Sequence, residues 1–129
     1  MGKKAVTKLT IAELIKRKEQ LSNRKNEHRE LYIKSLDRKI TIQKPDRSII
    51  LESYGMQEGE GNKFLVYECV TEPNLKDSEL QKAFDVKVPT DIVDEIFDPG
   101  VVDTISKEIV IFAGYEEGAV SLVNDVKNS

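Results

Sequence analysis

Within the first 45 residues the apolar side chains change their period once, and that change limits the folds open to the chain. They first recur at helical spacing, Ile11, Leu14, Ile15 and Leu21, on a narrow stripe flanked by Lys16, Arg17, Lys18, Arg24 and Lys25. From residue 30 the period is two. In RELYIKSL, Leu31 and Ile33 face one way while Tyr32, Lys34 and Leu36 face the other, and Ile40 and Ile42 repeat the alternation in KITIQ. The expectation is a helix followed by a β-hairpin over residues 30–43, turning at Asp37-Arg38 without the glycine that a type I′ turn favours. A lone hairpin is marginal in water, so it must pack on helices or pair with another chain, and lysines along its open edge would discourage promiscuous pairing.

Helix punctuation dominates on both sides of the hairpin. Thr10 and Glu13 form a capping box ahead of the first stripe, which is thin for a helix buried in a small core and looks like one lying across a domain or awaiting a partner. After Pro45, Asp46 can open a helix containing Ile49, Ile50 and Leu51 that stops at Gly55. QEGEGN, residues 57–62, reads as a flexible connector, and Asn62 can cap KFLVYECVTE, apolar on nearly every side and ended by Pro73. Asp77 caps SELQKAF, DVKVPT is extended, and Thr90 caps DIVDEIF. Asp98-Pro99 starts a last helix that ends at Gly114. Its KEIVIF segment is β-branched enough to be a strand, but the flanking start and stop signals favour the helix. The fold class is therefore α+β, mainly α-helical, with one hairpin after the N-terminal helix. It is read as a single domain over 1–129, with residues 1–8 and 116–129 as flexible ends.

Charge is divided as sharply as period. Residues 1–45 carry 13 Lys/Arg against 5 Asp/Glu, whereas the remainder carries 7 against 18. Such asymmetry fits a basic helix folded back on an acidic body, a nucleic-acid patch, or a protein with oppositely charged faces for different partners. Nucleic acid is the weaker reading: the lysines and arginines for counterion release are present, but interleaved aromatics and a second recognition helix are not. No run of about 18 apolar residues offers a membrane span. The basic start has no apolar segment behind it, and Val6 breaks the myristoylation pattern begun by Gly2. The single cysteine suits a reducing cytoplasm.

The chemistry-bearing residues give no catalytic set. Cys69 lies in the apolar run FLVYECV beside Glu68 and Glu72, which oppose thiolate formation, so it reads as structural. His28, the only histidine, has no metal-ligand companions at zinc spacing and reads as exposed. Asp91, Asp94, Glu95, Asp98 and Asp103 alternate with Ile92, Val93, Ile96 and Phe97, as on the solvated face of an amphipathic helix, and lack the central glycine of a calcium loop. The glycines near residue 60 have neither the Gly-Lys-Ser/Thr ending nor the preceding strand of a phosphate loop. No enzyme activity, cofactor or metal is expected.

Five stretches carry a family resemblance: LTIAELIKRKEQL, ELYIKSLDRKITIQKPDR, FLVYECVTEPNLKDSELQKAF, PTDIVDEIFDPG and AGY. In this order, over roughly residues 9–115, they resemble the XkdN-like tail assembly chaperones of phages and prophages of Gram-positive bacteria. The blocks around Glu72-Pro73-Asn74-Leu75 and Asp98-Pro99-Gly100 are the most specific. The resemblance implies a non-enzymatic factor of the host cytoplasm that binds the long, apolar, helical tape measure protein, assists assembly of the tail tube from its major subunit, and is absent from the mature virion. A minor structural tail component and a small nucleic-acid-binding regulator are the alternatives, and a homo-oligomer is compatible with either role. The family brings no ligand residues. From the residues themselves, Leu14, Leu21, Tyr32, Ile33 and Ile42, with Arg17 and Lys18 as an electrostatic rim, are the expected partner contacts, each open to the alternative of packing in the domain's own core.

Overall fold

The computed structural model describes residues 6–123, so the expected flexible ends fall partly outside the described residues. The chain begins with two short helices, α1 (Ile11–Lys16) and α2 (Lys18–Asn23), and a 3₁₀ turn (Arg24–Asn26). A hairpin of β1 (His28–Ile33) and β2 (Arg38–Gln43) leads to α3 (Arg47–Tyr54) and α4 (Glu60–Cys69). Then come β3 (Val70–Glu72), α5 (Ser78–Ala83), a 3₁₀ turn (Pro89–Asp91), α6 (Ile92–Ile96) and α7 (Pro99–Phe112).

The stripe read as one N-terminal helix is interrupted at Arg17 (φ −92°, ψ 7°). Backbone bonds from Arg17 N–H to the Glu13 carbonyl and from Leu21 N–H to the Arg17 carbonyl carry the helical path across the break. Thr10 caps its start, accepting from the Glu13 amide at 3.2 Å. No residue of α1 or α2 is buried. The basic helix thus does not fold back into the acidic body; it projects as an arm.

The hairpin forms with Leu31 opposite Ile40 and Ile33 opposite Arg38. Its connection is the four residues Lys34–Asp37, longer than the expected turn, and Asp37 takes the left-handed conformation (φ 48°) that an aspartate tolerates better than most residues. The hairpin is not alone. Val70–Glu72, read from sequence as the end of the central helix, instead pairs antiparallel with β2 and makes a three-stranded sheet in the order β1-β2-β3. That helix stops at Cys69, four residues before the proline expected to end it, and Glu72-Pro73 is a cis peptide.

Ile33, Ile40, Ile42 and Val70 bring the inner face of the sheet onto Val66 and Cys69 of α4, Ile92 and Val93 of α6 and Val102, Ile105 and Ile109 of α7, forming one core. Two helix starts follow their expected caps: Asp46 accepts from the Ile49 amide at 3.2 Å and Asp77 from the Leu80 amide at 3.0 Å. Two do not. Helix α4 starts at Glu60 after Gly59 (φ 87°), which places Asn62 inside the helix, and Thr90 lies within a 3₁₀ turn that runs into α6. KEIVIF is helical, within α7. Helices α3 and α4 meet at Gly61, where a Cβ would run into the carbonyl oxygen of Ser53. Among the described residues no helix is long and apolar enough to cross a membrane.

Candidate docking surfaces

Two apolar surfaces stand out among the described residues. The first is the arm. Its apolar residues face solvent, with Ile11 76%, Leu14 43% and Ile15 69% exposed, and Val6 and Leu9 continue the surface toward the N-terminus. Six Lys/Arg against two Glu over residues 6–26 surround them. Among the described residues, only the Arg17–Glu13 pair, at 3.7 Å, neutralises any of these cations. Local capping and helical bonds hold this segment, with little side-chain burial to add to them.

The second is a groove of about 650 Å³ between β1 and the N-terminal half of α7. Leu31 and Ile33 form one wall; Gly100, Val101, Thr104 and Ile105 form the other, with Lys34 and Glu108 also on its lining. The i, i+1, i+4, i+5 spacing puts the four α7 residues on one helix face. Gly100 leaves that face open, since nothing lies within 4 Å of where its Cβ would be. The Thr104 hydroxyl donates to the Gly100 carbonyl at 2.8 Å, which satisfies it within the helix. Beyond the groove, Arg29 lies 4.3 Å over the ring of Phe112, stacking the hairpin on the far end of α7.

The polar clusters have structural work. Lys63, on α4, reaches Asp91 at 2.8 Å, Asp94 at 3.2 Å and Glu60 at 3.5 Å, so part of the acidic cluster is neutralised from within. The Asp91 hydrogen bond, with Asp94 beside it, drives the Lys63 pKa upward against the opposing effect of desolvation. Asn62 donates to Asp103 at 2.9 Å and accepts from the Ser106 hydroxyl at 2.9 Å, tying α4 to α7. Cys69 is buried, and that burial, with Glu68 and Asp46 nearby, pushes its thiol up to about 12. His28 stands exposed at the start of β1. Among the described residues no three His, Cys, Asp or Glu side chains are grouped to hold a metal ion.

The arrangement as a whole offers apolar surface rimmed by charge. Against that geometry, the model of the phage XkdN-like tail assembly chaperone family matches the chain over residues 3–127. The chain belongs to that family. No curated protein and no solved structure matches it.

The chaperone divides the residues expected to meet a partner into two groups. Leu14, Arg17 and Lys18 are exposed on the arm and Leu21 is half-buried at its base. Tyr32 is 61% exposed on the outer face of β1, but its hydroxyl donates to Asp37 at 2.6 Å, which raises its pKa and lays the ring along the hairpin turn. Ile33 and Ile42, at 4% and 0% exposure, are core residues, because the inner face of the sheet is covered by α4 and α7. Both take the alternative of packing in the domain's own core; Ile42 is fully covered, and Ile33 shows only an edge on the groove lining. The α7 side of the groove went unnoticed in the sequence. Its local signal is the small residues Gly100 and Thr104 one turn apart, beside Val101 and Ile105, on a helix whose core face is formed by Val102, Ile105, Ile109 and Phe112.

Proposed function

We propose that this tail assembly chaperone acts on the tape measure protein, holding its apolar helical stretches soluble in the host cytoplasm before the tail tube polymerises around them. The observation that carries the reading is the arm, a capped helical segment whose apolar residues have no cover from their own chain. A client helix laid along Ile11, Leu14 and Ile15 would lose water from both partners, at about 25 cal/mol for each Å² of apolar surface covered. Arg17, Lys18 and Lys16 would steer acidic client segments and keep the complex soluble. Leu21 and Tyr32 would extend the contact toward the hairpin. The role requires no bond to be made or broken, and the major tail tube protein is the natural second partner once the client is bound.

Co-expression with the tape measure protein of the same phage tests this. The client should move from the insoluble to the soluble fraction with the wild-type chain, and lose most of that rescue with the double change Leu14→Asp, Ile15→Asp, which touches no buried residue. Equal insolubility with and without the wild-type chain would refute the reading.

A further inference from the structure

The sheet leaves the backbone edge of β1 open, because β1 is the outer strand in the order β1-β2-β3. The Lys44 amide donates to the Glu27 carbonyl at 3.0 Å, and that bond fixes the parity of the ladder. Arg29, Leu31 and Ile33 turn their N–H and C=O groups toward β2, whereas His28, Glu30 and Tyr32 turn theirs outward. The outward backbone groups have no hydrogen-bond partner among the described residues. An edge of this kind accepts a further strand.

The side chains along the edge select which strand. Residues 30–34, Glu-Leu-Tyr-Ile-Lys, run acid, apolar, aromatic, apolar, base about Tyr32. Laid antiparallel on itself with Tyr32 at the centre, the segment matches at every position. Glu30 stands opposite Lys34, the first residue of the hairpin connection, and Leu31 stands opposite Ile33, each pair occurring twice. Centring on Leu31 would instead set Glu30 against Tyr32 and His28 against Lys34, and centring on Glu30 would set two carboxylates face to face. Both charged residues are available. Lys34 is exposed and in no ion pair among the described residues, and exposed Glu30 meets only Lys39, at 3.5 Å, through one carboxylate oxygen. We infer that two copies of the chain join edge to edge through β1 about a two-fold axis at Tyr32, making a continuous six-stranded antiparallel sheet. The two inner faces then lie on one side, and the β1–α7 grooves open onto each other beneath the seam. Leu31 and Val101, half-buried in the single chain, are covered there, while small Gly100 and Thr104 let the two α7 faces approach. The arm takes no part. The Tyr32 ring stays on the outer face, so the pairing is separate from client binding.

Sedimentation of the full chain over a wide concentration range reads the association, and the wild-type chain should pass from monomer to dimer. Glu30→Lys and Lys34→Glu each set like charges opposite one another and should each weaken dimerisation by about tenfold or more. Both positions are exposed, and circular dichroism checks that each variant keeps its fold. An equimolar mixture of the two variants should dimerise again, because every facing pair in the mixed dimer is once more of opposite sign. Oxidation reads the register independently of the charges. Tyr32→Cys, on the axis, should form an interchain disulfide, whereas His28→Cys, on the same edge but far from its counterpart, should stay reduced along with buried Cys69. A wild-type chain that stays monomeric throughout would overturn the inference. So would a dimer indifferent to both charge reversals, a mixture of folded variants that fails to pair, or a Tyr32→Cys chain that links no better than His28→Cys.

Discussion

The arm and the body use the same helix-building rules and arrive at opposite ends. Helix α1 has a threonine cap, an acidic first turn and a basic last turn, yet buries nothing. Helix α5, equally short and capped by Asp77, also has no fully buried residue, but Leu80 packs against the core and the Gln81 amide donates to the Leu75 carbonyl at 2.9 Å. Propensity and capping therefore decide where a helix forms, while its coupling to the rest of the molecule depends on one or two side chains that reach the core. In the arm those side chains exist and point at water. That difference separates a stabilising element from one available for docking.

Thiol labelling gives the widest contrast. With its pKa pushed up to about 12, native Cys69 is thiolate to only about one part in 10⁴ at about pH 8. It should react at least on the order of 10³ times more slowly than a cysteine placed on the arm by Leu14→Cys. Because the fold prefers the neutral thiol, the Cys69 contribution to stability is complete below the unfolded value of about 8.5 and is lost as the pH climbs toward the folded value. Equal labelling rates at the two positions would erase the distinction between body and arm.

Side-chain truncation comes next. Ile42→Ala removes a fully buried side chain under the sheet and should cost about 2–5 kcal/mol in a denaturant titration. Ile15→Ala, at the same residue type on the arm, should stay within about 0.5 kcal/mol. A comparable loss at Ile15 would mean that the arm packs on its own body. Gly61→Ala falls between the two: its Cβ meets the Ser53 carbonyl where α3 and α4 touch, and the required shift should cost about 1–3 kcal/mol despite alanine's better helix propensity.

What the sequence reveals about these regions follows from how local each determinant is. The caps at Thr10, Asp46 and Asp77, the alternation through Ile40 and Ile42, and the Asp98-Pro99 start depend on neighbours a few residues away, and all lie where the pattern places them. Strand β3 does not. Val70-Thr71-Glu72 continues an apolar helical run and becomes a strand because Thr41 and Ile42 supply an edge from a distant part of the chain. Asn62 looks like a cap, but residues with capping side chains also serve inside a helix when another helix satisfies them, here through Asp103 and Ser106. The groove was illegible for the same reason as β3. It exists only where α7 lies beside β1, and neither sequence alone carries its shape.

The smallest expected effect bears most directly on the comparison. Asp77→Ala and Thr10→Ala each delete a side chain that accepts from a helix N-terminal amide, at 3.0 Å and 3.2 Å respectively. Capping chemistry alone assigns each about 1 kcal/mol. In the body that energy belongs to the global unfolding transition, because α5 cannot come apart without exposing Leu80 to water, so the denaturation midpoint should fall by the corresponding amount. In the arm the same energy belongs to a local equilibrium: α1 can fray while the core stays intact, so the midpoint should hold still and only hydrogen exchange at the arm amides should quicken, by about fivefold. A Thr10→Ala midpoint that falls as far as that of Asp77→Ala would place the arm within the body's cooperative unit and remove the reason it is free to dock.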